Sequence, residues 1–280
     1  MPAVTLLRFA LPLAAGVACA WWIDRSTAAR GLLPPRFADP AWGDVRRLAA
    51  IALLAAVLWV GVFAAAGQIG LPSPEMDFEN LSPFLLFQSH AILIVTLAGW
   101  LVLGYWNCGH RASEVIQSQL GLRTPTGTSV PKETGLGILA GLVLWVGVLA
   151  AVFFAALAVG LIGGFENLPT EAPEMVLWMG SLPLLLRLMV SLSAGVVEEL
   201  FFRGFLMPRV GFWASNVLFV FAHASYQQSF QLFGVALLSV AFSLLVRWRG
   251  NIWPAIAAHF LFDAVQLLIL VPSAASAAGT

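Results

Sequence analysis

The sequence predicts an all-α polytopic membrane protein, and three observations carry that prediction. Of the 280 residues, 60% are hydrophobic and only 10% are charged, against about 25% charged in a soluble globular domain. So few polar side chains cannot cover a water-facing surface, and a bilayer is the solvent that fits. Apolar runs long enough to cross it recur along the chain. Basic residues gather in alternate connections between those runs.

A spanning helix needs about 20 mostly apolar residues. Such runs lie at Val4–Ile23, Leu48–Ile69, Pro83–Gly104, Gly135–Ile162, Met175–Phe202, Phe212–Tyr226, Phe230–Val246 and Ile252–Val271, which predicts about eight spans. The sixth and seventh are short and are separated by a turn at 227–229. The first run has a second reading. Arg8, an apolar stretch and Ala18-Cys19-Ala20 resemble a secretory signal with its cleavage site. Trp21 and Trp22 just beyond suit an interfacial aromatic anchor instead.

Charge orders the spans. The connection after the first run holds Arg25, Arg30, Arg36, Arg46 and Arg47, and the one after the third holds Arg111, Arg123 and Lys132. Arg203 and Arg209 follow the fifth, and Arg247 and Arg249 the seventh. Twelve of the 14 basic residues thus fall on one side, which the positive-inside rule makes cytoplasmic, with both termini outside. The alternate connections hold Glu75, Asp77 and Glu79, then Glu166, Glu171 and Glu174. Arg8 and Arg187 are the exceptions. Within the 105–134 connection, Val115, Ile116, Leu120 and Leu122 predict an amphipathic helix on the membrane surface, ended by Pro125, Gly127 and Pro131. A formal net charge of zero argues against a nucleic-acid partner. Cys19 and Cys108 are too few for a disulfide framework and read as free thiols.

An ionisable side chain inside a membrane costs on the order of 3 kcal/mol, so each one is a functional candidate. Six gather in the last third: Glu198, Glu199, Arg203, His223, His259 and Asp263. Glu199 and Arg203 stand four apart with the acid first, the order that favours a helical ion pair. Glu198, offset by about 100°, would pair with His223 or His259 or sit protonated. His259 and Asp263 share a face, the arrangement by which a carboxylate orients an imidazole. Each has a plain structural reading, as a satisfied buried histidine or a bundle hydrogen bond. Together, on three separate runs, they predict one buried polar cluster in the cytoplasmic half. Glu198 and His259 fall roughly 8–10 Å deep, and His223 about 16 Å deep, from a 1.5 Å rise per residue.

These residues resemble the three motifs of the CAAX-protease and bacteriocin-processing family. The first is Glu198-Glu199-Leu200-Phe201-Phe202-Arg203, followed by Gly204-Phe205-Leu206. The second is Phe219-Val220-Phe221-Ala222-His223. The third is His259-Phe260-Leu261-Phe262-Asp263. The resemblance covers Met175–Val271 and implies an intramembrane endopeptidase. In that reading, Glu198 with His223 activates a water, and His259 with residue 263 stabilises the oxyanion. Glu199, Arg203 and Phe219 give support. The family's motif has asparagine or aspartate at the position of Asp263, and asparagine in its best-studied members. An ionised carboxylate there would repel an oxyanion, so Asp263 is expected to be protonated or to orient His259.

The family is often labelled metalloprotease. Glu198, His223 and His259 would supply a carboxylate and two imidazoles, a ligand set known for catalytic zinc, but His-Glu-x-x-His is absent. We expect a metal-free glutamate mechanism, with zinc as the alternative. Apolar runs and charge predict an N-terminal region of membrane helices and cytoplasmic loops over 1–134, and the resemblance implies a protease core over 135–280, with its motifs at 198–263. It further implies a peptide or lipidated protein substrate, membrane lipids as surroundings, and a multi-pass location in the cell (inner) membrane. The rival classes are a proton- or ion-coupled transporter and a non-catalytic scaffold of the same fold. Serine chemistry lacks Gly-x-Ser-x-Gly, and aspartic chemistry lacks a second aspartate in a span.

The charge pattern makes a topological prediction. Reporter fusions within 24–47, 105–134, 203–211 and 247–251 score cytoplasmic, and fusions within 70–82 and 163–174 score exterior. A cytoplasmic reading at 163–174 would break the eight-span arrangement.

Overall fold

The computed structural model describes residues 3–64, 82–168, 174–224 and 229–273. The described elements are all helical, and the chain is an all-α polytopic membrane protein. Glu75, Asp77, Glu79, Glu171 and most of the 227–229 turn lie outside the described residues.

The elements run α1 (Ala3–Ala29), α2 (Gly43–Leu58, continued by a π-helical turn Trp59–Phe63), α3 (Leu85–Tyr105), α4 (Ala112–Gln119) and α5 (Val130–Gly163). Then come α6 (Glu174–Ser181), α7 (Leu184–Glu198), a π-helix Glu199–Leu206, the one-turn α8 (Met207–Val210) and α9 (Phe212–Ala222). The last are α10 (Ser229–Arg249) and α11 (Trp253–Val265), continued by a π-helical turn Gln266–Leu270. Five helices have the length and apolar composition to cross a membrane: Gly43–Phe63, Leu85–Tyr105, Val130–Gly163, Ser229–Arg249 and Trp253–Ser273. The 27 residues of α1 rise about 40 Å, long enough as well.

Two predicted runs differ. The Met175–Phe202 run is broken between α6 and α7 at Pro183, which precedes the first residue of α7. A proline has no N–H to continue the ladder, and its ring clashes with the preceding turn. The chain restarts at Leu184 and stays helical to Leu206. The Phe212–Tyr226 run forms a helix of 11 residues ending at Ala222, about 16 Å and shorter than a span requires. His223 therefore caps a helix end.

The chain divides into two compact units. The first comprises Met1–Ser73, Ser89–Arg123 and Leu200–Ser225. Here α1 packs on α2. Gly16 makes this possible, since a Cβ there would lie 2.9 Å from the Trp59 amide nitrogen. Arg47 clasps the buried Asp24 carboxylate with two hydrogen bonds of 2.8 and 2.6 Å. The predicted loop helix forms as α4, but its apolar residues Val115 and Leu120 are buried against the protein rather than laid on lipid. Leu120 reaches the Cα of Gly204, and Gln119 accepts a 2.9 Å hydrogen bond from Arg209. Pro131 begins α5 instead of ending α4, as a proline in a first helical turn does.

The second unit comprises Pro74–Gln88, Thr124–Glu199 and Tyr226–Thr280. Its centre is α11, which packs against α5, α7 and α10. Small residues set these distances. A Cβ on Gly141 of α5 would lie 2.9 Å from the Ala258 carbonyl oxygen, and one on Gly195 of α7 would lie 2.8 Å from the Phe260 amide nitrogen. Close helix approach through small residues is the usual packing mode within bilayers, where the hydrophobic effect does not drive helices together. The turn into α11 is made at Gly250, whose φ of +68° suits glycine. Asn251 then accepts a hydrogen bond from the Trp253 amide at 3.1 Å. Glu133, buried at the start of α5, takes two hydrogen bonds from Arg249 at 2.9 and 2.6 Å and one from Thr128 at 2.6 Å. Sequence reading placed these charges in cytoplasmic connections; the fold joins them into one clamp at the entry to α11.

Gly195→Val places a branched side chain against the α11 backbone. Overpacking of this kind costs about 1–3 kcal/mol, so the variant melts lower in detergent, as a thermal unfolding scan would read. The same change at Gly135, where a Cβ meets open space, leaves the melting temperature near wild type.

Candidate functional site

The predicted site residues fall into two groups, one in each unit. In the second unit, Glu198 ends α7 and Glu199 opens the π-helix. His259 and Asp263 lie one turn apart on α11, which Gly195 brings against α7. His259 Nδ1 meets Glu199 Oε1 at 2.9 Å, and His259 Nε2 faces Asp263 Oδ2 at 3.5 Å. The Glu199 side chain is fully buried and that of His259 is 7% exposed, while Asp263 is 28% exposed. Glu198 lies near enough for its charge to act on His259. The His259 ring stacks on Phe242 of α10, with centroids 5.0 Å apart and planes at 25°.

The geometry constrains the protons. An ionised carboxylate only accepts, so Glu199 requires a hydrogen on His259 Nδ1. The opposite ring nitrogen faces a second carboxyl group. A doubly protonated His259 satisfies both neighbours as ions; a neutral ring requires that a carboxyl group hold a proton.

The segment that holds Glu199 and Arg203 is π-helical rather than α-helical, with i→i+5 hydrogen bonding. The π-helix covers the whole Glu199–Leu206 part of the first motif. Isolated π turns inside helices are frequent at functional sites.

In the first unit, Arg203 is 1% exposed. Its guanidinium carbon sits 4.2 Å from the Phe219 ring centre, a cation–π contact. Phe202 meets the same ring edge-on at 5.0 Å. Ser215 on α9 donates to the Phe202 carbonyl at 2.6 Å. His223 tilts over Phe219 with centroids 4.5 Å apart, and its Nδ1 lies 2.8 Å from the Phe219 carbonyl oxygen. The Phe-x-x-x-His spacing now has a physical reason. At a helix end the last carbonyls lack intrahelical partners, and a histidine four residues on satisfies one of them. A carbonyl cannot donate, so Nδ1 carries the hydrogen, and in the neutral ring Nε2 keeps its lone pair.

Among the described residues, no group of three or more His, Cys, Asp or Glu side chains is arranged to hold a metal ion.

Sequence reading passed over two neighbours of these residues. Phe242 is one aromatic residue in an apolar helix and carries no signal of its own. Ser215 was hidden because a serine within a helix is commonplace.

Arg203→Ala removes the cation that covers Phe219. A desolvated cation–π contact contributes about 2 kcal/mol or more, so the variant melts lower in detergent. Unchanged melting with lost activity would instead make Arg203 a direct participant in substrate handling.

Comparison with known proteins agrees with the motif reading. Residues 180–265 match the family model of the Rce1-like type II CAAX prenyl endopeptidases. The uncharacterized protein YpbD of Bacillus subtilis (strain 168) is 34% identical over 77 residues, which are 27% of this chain and 41% of that protein. The matched segment thus spans under half the length of that relative. No solved structure matches the chain. The match contains all three motifs and both groups of site residues, and over residues 180–265 the chain is similar to the Rce1-like, type II CAAX prenyl endopeptidases.

Proposed function

We propose that the chain is an intramembrane endopeptidase that hydrolyses a peptide bond of a membrane-associated substrate, a peptide or lipidated protein, in the cell (inner) membrane. Glu198 with His223 is the base that activates water. His259 stabilises the oxyanion, Asp263 orients His259, and Glu199, Arg203 and Phe219 support them.

One observation carries this reading. Within the segment that matches the family, a buried imidazole lies between two carboxyl groups, at 2.9 Å from Glu199 and 3.5 Å from Asp263. A positioned imidazole donor in low dielectric is what a developing tetrahedral oxygen needs. This arrangement also suits an aspartate at position 263. Its charge is directed to His259 Nε2, so it acts on the ring.

The steps conserve protons. Water gives a proton to the base as its oxygen bonds to the carbonyl carbon. The carbonyl oxygen takes the negative charge, which His259 stabilises. The C–N bond then breaks, and the base returns its proton to the leaving amine. His223 fits the proton-accepting role because its Nδ1 hydrogen is directed at the Phe219 carbonyl, which leaves Nε2 as the basic nitrogen.

The experiment is cleavage of a peptide library by purified protein with and without a chelator, using wild type and four variants. Glu198→Gln keeps the shape and removes the base, so cleavage is abolished while the melting temperature holds. His223→Ala and His259→Ala are nearly as damaging, because residues acting as one unit lose function non-additively. Asp263→Asn costs a large factor if an ionised Asp263 orients His259. Retained activity would instead make residue 263 a neutral donor to the oxyanion. Cleavage by Glu198→Gln at the wild-type rate would remove Glu198 from the mechanism. Ion-coupled uptake in vesicles, with no peptide cut by wild type, would support a transporter.

A further inference from the structure

Arg187 stands in the first turn of α7, outside the basic loops and unused by the chemistry above. Its Nη1 donates to the Leu267 carbonyl at 2.9 Å. Leu267 belongs to the π-helical turn Gln266–Leu270 that continues α11. Such a turn takes its carbonyls out of the regular i→i+4 ladder, and here one of them meets the guanidinium. An arginine within a membrane segment is expensive, and the acceptor that the described residues present to this one is on the helix that carries His259.

We infer that Arg187 is a positioning residue: it ties α7 to the turn after α11 and so sets the register at which Glu199 meets His259. The effect on catalysis rests on the protease reading; the geometric effect does not. Three contacts run along the α7–α11 pair: Arg187 on Leu267, Gly195 against the Ile256 and Phe260 backbone, and Glu199 on His259. The middle one is a contact of smooth surfaces, which resists approach but not sliding. The outer two are hydrogen bonds, which do resist sliding. A slip of one residue moves a helix by about 1.5 Å, while a hydrogen bond tolerates only about 2.7–3.2 Å between heavy atoms. Losing the Arg187 tie therefore frees the pair to slip by enough to part Glu199 from His259. His223, in the other unit, directs its Nδ1 at the Phe219 carbonyl of its own helix end.

The test uses the full-length protein labelled with ¹⁵N-histidine, with ring signals assigned from His259→Gln and His223→Gln spectra. Arg187→Ala is expected to shift the His259 ring nitrogens and leave those of His223 in place. It is expected to lower kcat about tenfold with KM nearly unchanged. Arg187→Lys keeps a donor of similar reach and recovers part of both effects. If Arg187→Ala does not fold, Arg187→Gln carries the same measurement. Unshifted His259 signals in a folded variant would overturn the inference. So would a shift of every histidine with no recovery by lysine, which marks general loosening. If wild type cuts no peptide, the protease reading fails alone, and the ring signals still decide the role of Arg187.

Discussion

Much of the second unit is organised around one contact, the 2.9 Å approach of Glu199 Oε1 to His259 Nδ1 between α7 and α11. In an apolar bundle a buried carboxylate without a partner costs several kcal/mol, so this acid and this ring hold each other in place. The consequences spread through the helices. To let the two side chains meet, α7 and α11 approach closely enough that Gly195 has no room for a Cβ. To hold α11 there, α5 presents Gly137 and Gly141 on its other flank, and the Glu133–Arg249 clamp fixes its entry.

Two departures from regular α-helix fall on or beside the motif residues. The π-helix Glu199–Leu206 lies on the first motif, and the π-helical turn Gln266–Leu270 follows the helix of the third. A π turn adds a residue per ring of hydrogen bonding and re-aims the side chains that follow. It converts a run with one helical phase into two segments with different phases. Proline at 183 and the early end of α9 at Ala222 do comparable work, cutting apolar runs into pieces that end where polar side chains are wanted.

The two histidines are held by different means. His223 directs one nitrogen at a backbone carbonyl. His259 sits between acids and against the face of Phe242. The difference follows from what each ring touches, since the side chains are chemically identical.

Several features were legible in the residues alone. Composition and recurring apolar runs determine a helical membrane protein, because only helices satisfy every backbone group of such segments in lipid. The three motifs locate the candidate residues, because ionisable side chains in apolar runs are too costly to be incidental. What each of those residues touches was decided by the tertiary structure. The i, i+4 rule addressed only Glu199 and Arg203, and the 2.9 Å contact of Glu199 with His259, sixty positions away, is supplied by helix packing. Arg249 read as a loop charge and proved to clasp the buried Glu133, and α4 turned Val115 and Leu120 inward while Ile116 stayed exposed. The reason is common to all of these. A sequence displays local periodicity and the cost of a polar group, but the partner that offsets the cost is supplied by helix packing. That packing depends on where glycine, proline and π turns allow backbones to approach.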